Sequence, residues 1–154
     1  IGQGYTAFTM VQLASATATI ASGGRQFAPR VVRATQDALT HSQEATTTTE
    51  PLDLRYAPEH IAVVRNGLVG VVTSGTSAQV FAGAGYQSAG KTGTAQAVTI
   101  GQKDKYNAAK LAEYQRDHAL YMAYAPVDAP KIALAVVVEN AGFGAASAAP
   151  IARR

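Results

Sequence analysis

Between Gly90 and Gln96 the chain places one lysine, two threonines and two glycines, in the run Ser88-Ala89-Gly90-Lys91-Thr92-Gly93-Thr94-Ala95-Gln96. Lys91 offers a cation, and Thr92 and Thr94 offer hydroxyl donors, all three suited to an anionic ligand. Gly93 has no Cβ, so a second backbone can come close there. Apolar or small residues lie on either side, in Phe81 to Gly85 and Ala95 to Val98. The stretch can therefore run as a strand that shows alternate side chains to one face. A cation, two hydroxyls and a bare stretch of backbone suit a strand edge that grips an extended peptide ending in a carboxylate. The same residues also fit an ordinary strand followed by a turn, since Lys-Thr-Gly recurs by chance.

Such a strand needs a sheet around it and helices over the sheet. A chain of 154 residues is long enough for one core and too short for two ordinary domains. Its 47% hydrophobic and 15% charged residues mark it as globular. No run of about 18 apolar residues is present, so the sequence holds no membrane-spanning helix. The chain starts at Ile1 rather than Met, which reads as a piece of something longer. With no cysteine there can be no disulfide and no thiolate metal site. The net charge is +3, but the basic residues are scattered and aromatics make up only 7%, a solvated mixed surface rather than a nucleic-acid face.

Taken in order, Gly2-Gln3-Gly4-Tyr5 reads as a tight turn. Met10, Leu13, Ala14, Thr17, Ala18 and Ala21 then recur at helical spacing, and Gly23-Gly24 stops the helix. Gln26 to Arg33 reads as a short strand that Pro29 pushes to a sheet edge or a bend. Residues 34 to 50 lack an apolar period and read as a surface loop in which His41 is solvated. Pro58-Glu59 opens a second helix with Ile61, Val64, Leu68, Val71 and Val72 inward; Gly67 within it suggests a close helix contact. After the Lys91 strand, Asn107 to His118 reads as one amphipathic helix with Leu111 inward, Asn107 as its cap and His118 as a packing feature at its end. Leu120 to Ala125 and Lys131 to Glu139 are strands joined by Pro126 to Pro130. The second has apolar residues on both faces, which predicts a central strand covered on both sides. Ser147 to Arg154 reads as the first turns of a helix cut short, capped by Ser147. The layout is α+β, an antiparallel sheet covered by helices.

Ala89-Gly-Lys-Thr-Gly-Thr-Ala-Gln96 resembles the third motif of the penicillin-recognising serine acyl transferases. Gly2-Gln3-Gly4-Tyr5, followed by a helix bearing Gln12, resembles the segment before that motif in class B penicillin-binding proteins. Gly75-Thr76 resembles their Gly-Thr-Ala stretch, with Ser77 in place of Ala. Tyr106-Asn107-Ala108, Lys110, Arg116-Asp117-His118, Ala125-Pro126 and Glu139-Asn140 resemble the penicillin-binding protein 2 branch, the transpeptidases of rod-shaped elongation, rather than the septal branch. The resemblance covers most of the chain except about residues 34 to 56. Two motifs of that family are missing. Of the seven serines none begins Ser-x-Asn, and only Ser88 begins Ser-x-x-Lys, with a lysine that already belongs to the third motif. The chain thus resembles the C-terminal portion of a transpeptidase domain, residues 1–154, without its nucleophile.

The resemblance implies an incomplete penicillin-binding fold and a serine-type D,D-transpeptidase as the parent. In it Lys91 would hold the hydrogen-bond network around the serine, and Thr92 and Thr94 would bind the substrate's terminal carboxylate. Gly93 would let the peptide lie along the strand, and the Thr94 N–H would be one oxyanion donor. The substrate would be a peptidoglycan stem peptide ending in D-Ala-D-Ala, mimicked by β-lactams. The implied partners are the glycan polymerase and scaffold proteins of the elongation complex, at the periplasmic face of the inner membrane. No cofactor is implied. A serine β-lactamase and a non-catalytic penicillin-sensing module share the third motif and stay open as alternatives.

Overall fold

The computed structural model describes residues 6–98 and 107–154; the expected turn at Gly2 to Tyr5 and the Tyr106 position lie outside them. Helix α1, Met10–Ala21, begins as a capping box. The Gln12 N–H donates to Thr9 Oγ1 at 3.2 Å, and the Thr9 N–H donates to Gln12 Oε1 at 2.8 Å, so two otherwise orphaned donors are satisfied. The helix ends where Gly23 and Gly24 take positive φ, as the sequence suggests. Thr17 and Thr19 are buried on it, each returning its hydroxyl to the carbonyl four residues back.

The next segment departs from expectation. Only Arg25–Gln26 forms a strand, β1, paired with β4, Leu52–Asp53. Residues 27 to 33 are exposed irregular backbone, because Pro29 has no N–H to donate and no buried face meets Val31 or Val32. The expected loop at 34 to 50 lies on the surface, but it contains a hairpin of β2, Ala34–Gln36, and β3, Gln43–Ala45. Asp37 organises its turn. Its carboxylate accepts from the Leu39 N–H at 2.9 Å, from the Thr40 N–H at 2.7 Å and from the Thr40 hydroxyl at 2.9 Å. Those Thr40 and Leu39 bonds hold its pKa below the ordinary value. His41 closes the turn at φ +57. Every residue from 34 to 45 is exposed. The hairpin amides are therefore expected to exchange with solvent well before those of the sheet described next; equal protection in hydrogen-exchange mass spectrometry would contradict this.

Helix α2, Pro58–Thr73, has Pro at its start as expected. It runs straight through Gly67, where a Cβ would meet nothing within 4 Å, so this glycine does not mark a close contact. Of the expected stripe, Leu68 is buried, Ile61, Val71 and Val72 are half-buried and Val64 is exposed. A short helix, α3, Ala78–Phe81, follows.

The core sheet is antiparallel in the order β5-β6-β7, with β5 at Ala89–Ala95, β6 at His118–Ala125 and β7 at Ile132–Val138. The strand expected in the middle, 131 to 139, is instead an edge strand among the described residues. Ile132 is 58% exposed and Val137 37%. An apolar strand with two apolar faces looks the same at an edge or at the centre; the pairing partners decide, and β6 has both. The helix expected over 107 to 118 is replaced by two 3-10 turns, Ala108–Lys110 and Glu113–Gln115. Asn107 does cap the first, accepting the Ala109 N–H at 3.0 Å. His118 opens β6 rather than ending a helix.

Helices cover both faces. Ala21 of α1 and Leu68 of α2 pack with Ala89 and Tyr124 on one. On the other, Phe81 meets Ala119, Tyr121 and Ala123, together with Ala148 and Ala149. Phe81 stacks on Tyr121 with ring centroids 5.8 Å apart, a pair worth about 1 kcal/mol beyond its buried area. The chain then runs through α4, Gly144–Ser147, and α5, Ala149–Arg153. Ser147 caps neither: its hydroxyl turns back to the Ala141 carbonyl at 2.9 Å.

Candidate functional site

Strand β5 carries the whole Lys91 to Thr94 run, at the other edge of the sheet from β7. Among the described residues only β6 pairs with it. The register sets Lys91 opposite Met122, Thr92 opposite Tyr121, Gly93 opposite Leu120 and Thr94 opposite Ala119. Alternation therefore divides the expected ligand set. Lys91 and Gly93 belong to the face that α1 and α2 cover, and Thr92 and Thr94 to the face of Tyr121. The three polar side chains do not share a face; they flank one strand from its two sides.

Lys91 is exposed, and its Nζ donates to the Thr92 carbonyl at 2.9 Å. The cation is thus drawn along the strand backbone towards Thr92. Beside it lies a groove of about 150 Å³ lined by Leu13, Lys91, Gly93, Leu120 and Met122 among others. Across the strand, the Thr92 hydroxyl pairs with the Thr76 hydroxyl at 2.9 Å. Next to Thr76, Ser77 is fully buried and its hydroxyl pairs with Tyr121 at 3.0 Å while donating to the Val71 carbonyl at 3.1 Å. Burial pushes the Tyr121 hydroxyl above its ordinary pKa, against the Ser77 bond, which lowers it. The junction of α2 and α3 thus fastens the sheet at Tyr121 and orients Thr92. The sequence points to Gly75-Thr76 as a family stretch but gives Thr76 no role. Its hydroxyl stands 16 residues from Thr92, and no spacing rule connects them.

A strand with a cation and hydroxyls at the edge of the described sheet can bind an extended chain that ends in a carboxylate. Among the described residues no serine hydroxyl bonds to a lysine or a histidine. Ser88 is 5% exposed with an unpartnered Oγ, and Ser77 and Ser147 are tied to carbonyls.

The helix-covered antiparallel sheet with Lys-Thr-Gly-Thr on an edge strand defines the class: the chain belongs to the penicillin-binding protein transpeptidase domain family, whose model matches residues 1–154. Among its relatives is the peptidoglycan D,D-transpeptidase MrdA of Haemophilus influenzae, 38% identical over 161 residues, covering 100% of this chain and 24% of that protein. PBP2 of Pseudomonas aeruginosa, solved in complex with WCK 5153, superposes with a TM-score of 0.74 at 33% identity, covering 99% of this chain and 30% of that one. Penicillin-binding protein A of M. tuberculosis, solved as an imipenem acyl-enzyme, superposes with a TM-score of 0.75 at 35% identity, covering 99% of this chain and 31% of that one. The chain spans about a quarter of the length of the curated relatives it matches.

Proposed function

We propose that these 154 residues are the C-terminal, substrate-strand portion of a peptidoglycan D,D-transpeptidase domain that serves cell elongation. The observation that carries this reading is the Lys91 to Thr94 run on a sheet-edge strand, within a chain that the transpeptidase family matches from end to end. The nucleophilic serine and its Ser-x-x-Lys lysine come from polypeptide outside these residues. In the assembled site the serine oxygen attacks the penultimate D-Ala carbonyl of a stem peptide and the terminal D-Ala leaves. The amine of a neighbouring stem peptide then takes the acyl group.

The four residues Lys91 to Thr94 of β5 each have a task in this scheme. Thr92 and Thr94 hydroxyls hold the terminal carboxylate of the donor peptide, or the carboxylate of a β-lactam. Lys91 supplies the positive field and hydrogen bonding around the serine. Gly93 leaves the strand bare so that the donor backbone lies against it. The Thr94 N–H is one of two donors that stabilise the oxyanion of the tetrahedral intermediate. The partners in this reading are the glycan polymerase and scaffold proteins of the elongation complex, at the periplasmic face of the inner membrane.

Labelling of the full-length protein by a fluorescent penicillin tests the reading. The wild type is expected to label at its serine. Lys91→Ala is expected to slow labelling by at least about 100-fold, the scale of losing one preorganised electrostatic contact. A wild type that takes no label, or a Lys91→Ala variant that labels at the wild-type rate, would reject it.

A further inference from the structure

Gly144, the first residue of α4, lies against the main chain of the β5–β6 pair. An ideal Cβ placed on it would come within 3.0 Å of the Gly93 nitrogen, and closer still to the carbonyl oxygens of Gly93 and Leu120. Those atoms belong to two paired strands and cannot swing aside as the end of a side chain would. Gly93 and Leu120 are register partners, so the contact falls on the one β5 position that stands between Thr92 and Thr94. It comes from the face where Ala148 and Ala149 pack against Ala119 and Tyr121. That is the face opposite the one towards which Gly93 itself would point a side chain, where Leu120 Cβ lies 3.3 Å from the added atom.

The connection that delivers Gly144 is tied down. The Asn140 N–H donates to His118 Nδ1 at 3.0 Å, the Gly142 N–H donates to the Asp117 carbonyl at 2.8 Å, and the Ser147 hydroxyl donates to the Ala141 carbonyl at 2.9 Å. Asn140 and Gly142 both take positive φ, which folds the connection tightly back on the start of β6. Gly144 therefore cannot retreat to make room.

We propose that Gly144 is a positioning residue of the acyl-transfer site: the start of α4 braces Gly93 from the face that Thr92 and Thr94 share and so sets where the β5 edge meets its ligand. The proposal rests on the reading of β5 as the substrate strand. Any side chain at position 144 displaces Gly93, and with it the Thr94 N–H on which the oxyanion geometry depends. A misplacement of about 1 Å in such a site costs about 100-fold in rate.

The test uses the full-length protein with a β-lactam whose acylation is followed in time, separating the dissociation constant of the initial complex from the acylation rate constant. Melting temperature is read on every variant. Gly144→Ala is expected to lower the acylation rate constant by about 100-fold with a much smaller change in the dissociation constant. Ser147→Ala, which loosens the same connection, is expected to lower it several-fold. Leu68→Ala, a cavity in the cluster on the other face, is expected to lower the melting temperature and leave the acylation rate constant unchanged. A Gly144→Ala protein that acylates like the wild type overturns the brace. So does a Leu68→Ala protein that loses acylation in proportion to its melting temperature as Gly144→Ala does. If Gly144→Ala does not fold, an unaltered acylation rate constant in Ser147→Ala overturns it. A wild type that takes no label overturns the functional reading and the brace with it, whereas a labelled wild type beside an equally labelled Gly144→Ala overturns the brace alone.

Discussion

Purified residues 1–154, incubated with excess penicillin, are expected to take up no covalent adduct by intact-protein mass spectrometry. Ser88 is the one serine with a lysine three residues on, and its surroundings disarm it. It is buried at 5% exposure, and its Oγ has no hydrogen-bond partner. It lines a cavity of about 370 Å³ with Phe81, Tyr124 and Leu134, which Lys131 and Arg153 also line, at the end of β5 where Ala89 faces Tyr124. Lys91 meanwhile gives its Nζ to the Thr92 carbonyl. A serine without a base to take its proton is a poor nucleophile. A stoichiometric adduct mapped to Ser88 would refute both the assignment of Lys91 to the substrate strand and the placing of the nucleophile outside these residues. Labelling that returns when the missing part of the domain is supplied as a second polypeptide would support a domain divided between the two.

The second large effect belongs to Gly93→Val in the full-length protein. It is expected to abolish β-lactam acylation, with a loss of about 100-fold or more, while the protein stays folded. The structure gives the reason for both halves. A Cβ at Gly93 meets only Leu120 Cβ, at 3.3 Å, and is accommodated if β5 and β6 part by a few tenths of an ångström. A β-branched residue is also well suited to a strand. Towards the ligand, however, the branched side chain occupies the place where the peptide backbone has to lie. Labelling by a fluorescent penicillin at the wild-type rate would reject the idea, and a collapsed melting transition would show that the folding argument is wrong. This substitution acts from the face of β5 that Lys91 shares, whereas Gly144→Ala acts from the opposite face, that of Thr92 and Thr94.

Several elements were legible in the residues because the signals that specify them are local. The stripe from Met10 to Ala21 with Gly23-Gly24 behind it, the proline at the start of α2 and the β6–β7 hairpin each depend on neighbours a few residues apart. The hairpin at 34 to 45 was missed because its signal is a turn rather than a hydrophobic pattern: Asp37 holds it with three hydrogen bonds and nothing in it is buried. The helix expected at 107 to 118 failed because an apolar position such as Leu111 fits a period without proving one. Only the Asn107 cap survived, over a single 3-10 turn.

For the site, the sequence by itself determined the chemistry. Lys91 brings a cation, Thr92 and Thr94 bring hydroxyls and Gly93 brings no side chain, and their order marks the family, because side-chain chemistry travels with the residue. What they face was decided by tertiary structure. Strand alternation and the β5–β6 register divide Lys91 from the threonines, and among the described residues only β6 pairs with β5. Thr76 reaches Thr92 only because α2 delivers it there, and Gly144 reaches Gly93 only because the connection after β7 is pinned to Asp117 and His118. Contacts between residues 16 and 51 positions apart are set by how the elements pack, and no local periodicity encodes that packing.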